Sequence, residues 1–300
     1  QPIGRMWVGT FHSLAHRLLR THPIEANLSP TFQILDAQDQ FRIVKRLMKE
    51  NGVDEKKLKI KEVQWFINKN KDNGKLPQDI DVGYDYAKKQ KVKVYDLYEN
   101  FVQANDLVDF AGLLVKSFEL LKNNHSLLNH YQNKFHHILV DEFQDTNQIQ
   151  YQFIKILHNQ NNHVFCVGDD DQSIYGWRGA KIENIQKLEN DFKPIQVIKL
   201  EQNYRSTGNI LGASNALIAK NQNRLEKSLW TESGDGDLIN VFNARDEREE
   251  AQYVVSEIQT QFNQGRNLDE CAILYRSNAQ SRVFEESLIK HNLNYRIYGG

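Results

Sequence analysis

HHILVDEFQDTN, residues 136–147, decides how the rest of the chain is read. Three apolar residues, Ile138, Leu139 and Val140, make a short run of the kind that sits inside a sheet, and the run ends on Asp141 and Glu142. In a parallel sheet, ligands bind beyond the carboxyl ends of the strands, so acids placed there face a ligand rather than the core. A hard cation such as Mg²⁺ takes carboxylate oxygen and keeps most of its waters, and a neighbouring Glu can polarise an attacking water. Asp141 and Glu142 are therefore the expected metal-facing and proton-accepting groups. A carboxylate pair follows many strands, so its weight comes from the sequence around it.

Outward from this run, apolar strand candidates recur at 164–167, 197–200, 239–242 and 271–274, each followed by polar or Gly-rich sequence. Helical spacing lies between them: 147–158 places Ile149, Phe153, Ile156 and Leu157 on one face, and 279–290 does so with Val283, Ser287 and Leu288. Alternating strands and helices predict an α/β fold with a parallel sheet. Residues 23–135 differ. They carry helical periodicity throughout and few β-branched runs, which predicts an all-α insertion, with Asp36 capping a helix that bears Phe41, Val44, Leu47 and Met48. Turns are expected at 72–77 and 81–83.

The next strand candidate runs into VGDDDQSIYGWRGA, 167–180. A single-strand nucleic-acid surface needs aromatic faces for base stacking and a cation for phosphate, and Tyr175, Trp177 and Arg178 supply both. Trp177 as a core anchor is the competing reading. The third, LEQNYRSTGNI at 200–210, brings Tyr204 and Arg205 to a strand end, where a guanidinium can meet a γ-phosphate and a Tyr ring can stack on a base. Taken singly, Arg205 also fits a surface salt bridge.

Composition sets outer limits. With 300 residues, 40% of them hydrophobic, the chain can bury real cores, and it has no apolar run long enough to span a membrane and no export signal, so a cytoplasmic location is expected. Cys166 and Cys271 lie in apolar runs and read as buried, inert thiols. The net charge of −1 hides an asymmetry: residues 1–135 hold 21 Lys and Arg against 16 Asp and Glu. That surplus permits nucleic-acid contact without establishing it, because runs such as KKLKIK at 56–61 read as solvated helix faces.

Together the three blocks closely resemble the signature of superfamily 1 DNA helicases of the UvrD/PcrA type. The resemblance extends to WVGTFHSLAHRLL at 7–19, LVDFAGLL at 107–114, ILYRSNAQSR at 273–282 and YRIYGG at 295–300. It implies RecA-like parallel-sheet domains of the P-loop NTPase type that use ATP and Mg²⁺ and translocate 3′ to 5′ on single-stranded DNA. The first would comprise 1–22 and 136–201, the helical insertion 23–135, and the second the region 202–300. By the same resemblance Asp141 binds Mg²⁺, Glu142 is the general base and also lies at the metal, Gln172 senses the γ-phosphate, Tyr204 stacks on adenine and Arg205 is the arginine finger. Tyr175 and Trp177 meet DNA bases, with Arg178, Thr10, Phe11 and His12 nearby, and Arg276 and Asn278 belong to the DNA surface of the second domain. Single-stranded DNA, single/double-strand junctions and repair proteins are the implied partners.

The sequence departs from the family in one important respect. No GxxxxGK[ST] occurs, and the only Gly-Lys pair, Gly74 and Lys75, is followed by Leu76 inside the helical region. An internal piece of a longer motor, by itself inactive on ATP, is the reading that follows. Two others stand beside it: a DNA-binding module that does not hydrolyse ATP, and a helicase–nuclease subunit of the RecB or AddA type.

Overall fold

The computed structural model describes residues 6–298 apart from 222, 223 and 226. Residues 1–5 of the expected first domain and the closing Gly299 and Gly300 of YRIYGG lie outside the described residues. The chain divides into two compact units, one of residues 1–200 with 221–227, the other of 201–220 with 228–300.

The first unit runs α1 (Phe11–Thr21), β1 (Gln33–Leu35), α2 (Ala37–Glu50), α3 (Ile60–Asp72), α4 (Tyr86–Ala104), β2 (Leu107–Asp109), α5 (Phe110–Asn123), α6 (His125–Lys134), β3 (His137–Val140), α7 (Gln148–Leu157), β4 (His163–Cys166) and α8 (Glu183–Asp191). Side-chain caps explain where several helices begin. Asp36 accepts from the Gln38 and Asp39 amides, Asp109 from Gly112, and Asn147 from Gln150, whose own side chain returns to the Asn147 amide. Each cap satisfies amides that a helix start leaves without partners.

Three apolar clusters hold this unit together. Val44, Leu47 and Met48 of α2, Val63 and Ile67 of α3, and Val94, Tyr95, Tyr98 and Val102 of α4 close one around themselves. A second joins α1, α5, α6 and α7 through Ala15, Leu18, Leu114, Leu121, Tyr131 and Phe153. The third seats β3 on α7 and α8, with Val140, Phe143, Tyr151, Ile154 and Phe192. Phe11 packs against the second and third.

β3 and β4 pair in parallel with His137 opposite His163 and Val140 opposite Cys166, and the two imidazoles stack at 5.6 Å. The region expected to be all-α also contains a parallel pair, β1 with β2, registered Gln33 to Leu107. Strands of three residues leave too short a period-2 signal to read from sequence. The KKLKIK run is not a helix face: residues 55–58 form a turn leading into α3, and Leu58 is buried.

The second unit contains α9 (Gly208–Ile218), α10 (Glu247–Asn263) and α11 (Ser281–Lys290), with Val255, Leu288 and Leu293 as its apolar centre. The strands expected at 239–242 and 271–274, and that at 197–200 in the first unit, are absent among the described residues; these segments join no ladder. A strand exists only by its pairing, and among the described residues these segments form no ladder, with Leu200, Val241 and Leu274 exposed. Cys166 and Cys271 are half-buried rather than buried, and burial pushes the Cys166 thiol up to about 11.

Candidate functional site

Where β3 ends, the backbone turns sharply. Glu142 adopts φ +50°, a left-handed conformation that crowds any residue with a Cβ. Asp141 and Glu142 are both exposed, and Asp141 Oδ1 accepts from the Glu142 amide at 2.9 Å. Strain at an exposed carboxylate is tolerated where the neighbouring structure over-determines it. That support comes from Phe143, buried beneath the turn, whose amide donates to the Val167 carbonyl at 2.9 Å and extends the β3–β4 pairing past its last rung.

Gln144, which the sequence reading passed over, joins the two strand ends. Its Nε2 donates to Glu142 Oε2 at 2.7 Å and its Oε1 accepts from the Asp169 amide at 2.9 Å. The side chain is buried, and its two ends fix Glu142 against the loop that follows β4. A Cβ at Gly168 would lie 2.9 Å from Gln144 Oε1 and 3.3 Å from the Phe143 amide nitrogen, so a larger residue there would have to displace the Gln144 side chain.

Past Gly168, Asp169 Oδ2 accepts from Gln172 Nε2 at 2.8 Å, leaving Gln172 exposed. The three consecutive aspartates have oxygens close enough to one another for a metal ion. In this fold each of them already has a cationic partner, two cations serving the three acids. Arg224 grips Asp171 with two bonds of 2.9 and 2.7 Å, and Lys227 pairs with Asp169 and, at 3.1 Å, with Asp170. Burial works against the Asp169 charge, but hydrogen bonds from Lys227 and Gln172 more than offset it and hold the carboxyl below its usual range.

Three residues beyond Gln172 the chain presents Tyr175 and Trp177 with the Arg178 guanidinium 4.7 Å from the centre of each ring. Trp177 is 69% exposed and is therefore not a core anchor. Tyr175 and Arg178 line a cavity of about 540 Å³, together with His12, Phe110, Asp72 and Asp109. His12 is half-buried with its ring 6.2 Å from that of Phe110, and burial lowers its pKa, favouring a neutral ring. Thr10 caps α1 by accepting from the Ser13 amide, while Phe11 is committed to packing. The structure thus gathers Asp141, Glu142, Gln172, Tyr175, Trp177, Arg178 and His12 within the first unit.

In the second unit Tyr204 is 81% exposed, with its hydroxyl donating to Gln202. Arg205 follows it, exposed, on a turn held by Asn203 Oδ1, which accepts from the amides of Arg205 and Ser206. Arg276 and Asn278 are exposed on the turn preceding α11, where the Arg276 amide donates to Gln280.

Parallel strands that deliver carboxylates and a glutamine at their carboxyl ends, next to an aromatic and cationic loop, place the chain among α/β proteins whose strand ends are suited to a ligand. The comparisons narrow this: residues 1–193 match the UvrD/REP helicase N-terminal domain and 198–300 the UvrD-like helicase C-terminal domain, and the chain belongs to that helicase family. It is 53% identical over 295 residues to DNA helicase II of Haemophilus influenzae and 53% over 297 to DNA helicase II of Escherichia coli, spanning 98% and 99% of this chain. With ATP-dependent DNA helicase PcrA of Staphylococcus epidermidis the identity is 41% over 296 residues. The chain spans about 40% of the length of these relatives.

Proposed function

We propose that this chain is part of an ATP-driven motor that moves 3′ to 5′ on single-stranded DNA and separates duplex strands, in DNA repair or replication. One observation carries the reading: Gln144 ties Glu142 to the loop after β4, and within ten residues that loop passes from Asp169 to a half-buried Tyr175 beside an exposed Trp177 and Arg178. Chemistry and DNA contact would then share one short piece of backbone.

Asp141 and Glu142 fit a Mg²⁺ ion: both are exposed at a strand end, and Asp141 keeps an oxygen beyond the one that takes the Glu142 amide. The ion would supply charge neutralisation at the phosphates of ATP. Glu142 would accept the proton of the attacking water, and Gln172 would contact the γ-phosphate. Tyr204 is assigned to adenine and Arg205 to the developing phosphate charge on the family resemblance. Trp177 and Tyr175 would stack on bases, and Arg178, Thr10 and His12 would face the strand, with Phe11 acting from the packing beneath. Arg276 and Asn278 would carry DNA contact in the second unit. The helical insertion, residues 23–135, would meet duplex DNA at a junction, its own core being the one closed by α2, α3 and α4.

The test is hydrolysis with and without oligo-dT in a chain that also supplies a phosphate-binding loop. Strong stimulation by DNA and unwinding of a 3′-tailed duplex are expected. Hydrolysis indifferent to DNA would overturn the reading.

A further inference from the structure

The carboxyl end of α3 carries two adjacent charged residues with different partners. Lys71, 2% exposed, sits among the insertion helices and the start of α5, with Nζ 2.7 Å from Asp109 Oδ2 and 2.6 Å from Glu99 Oε1. Asp72 reaches the catalytic side, where its Oδ1 accepts from Asn147 Nδ2 at 2.9 Å. Asn147 closes the DEFQDTN loop and caps α7 with its other side-chain atom. The same loop is joined to the aromatic loop, because the Thr146 carbonyl accepts from the Lys181 amide at 2.9 Å and from Asn184 Nδ2 at 3.1 Å. Asp72 also borders the aromatic loop directly, since a methyl at Gly179 would lie 3.6 Å from its Oδ2.

We infer that Asp72 is a positioning residue through which the helical insertion holds both the carboxylate loop at 141–147 and the aromatic loop at 175–181. Its chemistry is poorly explained by packing alone. No ion pair neutralises it among the described residues, and burial, followed by the nearby Asp109 charge, pushes its carboxyl up to about 6. A carboxyl whose burial disfavours its ionised form sits where three elements meet, the kind of local cost found at functional rather than at stability-determined positions. Force on the insertion from a bound duplex would reach Asn147 through this contact. That last step rests on the proposed function, whereas the positioning itself does not.

The first experiment therefore needs no motor activity: peptide-resolved hydrogen exchange on this 300-residue chain. Asp72→Leu removes the acceptor, and exchange in 143–147 and 175–181 is expected to rise about tenfold, the scale of one lost charge-assisted hydrogen bond. Peptides from Val63 to Ile67 and from Val94 to Val102 should be unchanged. Asp72→Asn, which retains a carbonyl acceptor for Asn147, should restore both loops to within about twofold of wild type. Should Asp72→Leu fail to fold, Asp72→Ala is read in its place. Unchanged exchange in either loop, or a rise spread equally over the insertion core, overturns the inference. In a chain with a phosphate-binding loop, Asp72→Leu is then expected to lower DNA-stimulated kcat about tenfold with KM for ATP within about twofold. If wild type shows no DNA stimulation, the proposed function falls and the exchange result still decides the positioning; a stimulated kcat equal to wild type overturns the coupling through Asp72.

Discussion

Glu142 combines exposure, a left-handed backbone and a hydrogen bond from Gln144, so its side-chain oxygen is held rather than free to sample rotamers. Glu142→Gln keeps the shape and removes the proposed base. In a loop-bearing chain, ATP affinity is expected to stay near wild type while turnover falls ~10²–10⁴-fold, and equal losses of both would assign Glu142 to structure instead. Trp177 is accessible enough to be removed without unfolding. Trp177→Ala should weaken oligo-dT binding by ~1–3 kcal/mol with little change in the salt slope, as stacking releases no counterions, and the melting temperature should not move. Anisotropy titrations at several salt concentrations read both quantities. Asp72 gives a pH signature of known sign. Its folded pKa lies above the ordinary 3.8, so its stabilising contribution is complete below that value and is lost as pH rises through about 6. Asp72→Asn should remove that slope and leave the protein no less stable at pH 7 to 8. The other charged groups lining the same cavity, Asp36, Asp109, Asp145, Arg178 and His12, remain in both proteins, and only their coupling to Asp72, chiefly that of Asp109, differs between them. A variant less stable than wild type at pH 7 to 8 would contradict this sign.

At the scale of elements, α3 shows what periodicity conveys and what it hides. Val63, Ile67 and Lys71 recur every four residues, so Lys71 falls on the buried face by spacing alone, and a lysine in that register signals a buried partner. The identity of the partners was not legible, because Glu99 and Asp109 lie 28 and 38 residues further along the chain. Burial opposes the Lys71 charge, yet Asp109 and Glu99 outweigh it and raise its pKa, while Lys71, Tyr98 and the Gly112 amide hold Asp109 ionised. Removing one member leaves the others buried and uncompensated. Lys71→Ala is expected to cost ~3–5 kcal/mol in urea unfolding of the first unit, whereas a Lys71→Met, Asp109→Leu pair should cost clearly less than the sum of its single changes. Additive losses would mean that the two groups do not interact energetically.

For the whole molecule, the proposed function requires that nucleotide state reach DNA. Gln172 hydrogen-bonds Asp169 three residues before Tyr175, in a loop whose acid end is anchored by Arg224 and Lys227. Only a contact that differs between nucleotide states can shift a conformational equilibrium. Gln172→Ala in a loop-bearing chain should therefore lower DNA-stimulated hydrolysis, leave DNA affinity without nucleotide unchanged, and move the ratio of affinities with and without an ATP analogue towards one. Measuring DNA binding in both states for both proteins tests it, and an unaltered ratio would make Gln172 a local structural residue.

Local chemistry was enough to read helices at 147–158 and 279–290, which the structure forms over 148–157 and 281–290, the Asp36 cap, the strands carrying the first two motifs and the family, because caps, periodicity and motif spacing are properties of neighbouring residues. The segments 197–200, 239–242 and 271–274 have the composition of strands, but a strand is completed only by a partner's backbone, which composition does not reveal. Gln144 holding two strand ends together, Asp72 meeting Asn147, and the aspartates at 169–171 meeting Arg224 and Lys227 were all decided by tertiary structure. Each joins residues whose separation in sequence carries no periodic signal, and each is specified only once burial has removed water as the alternative partner.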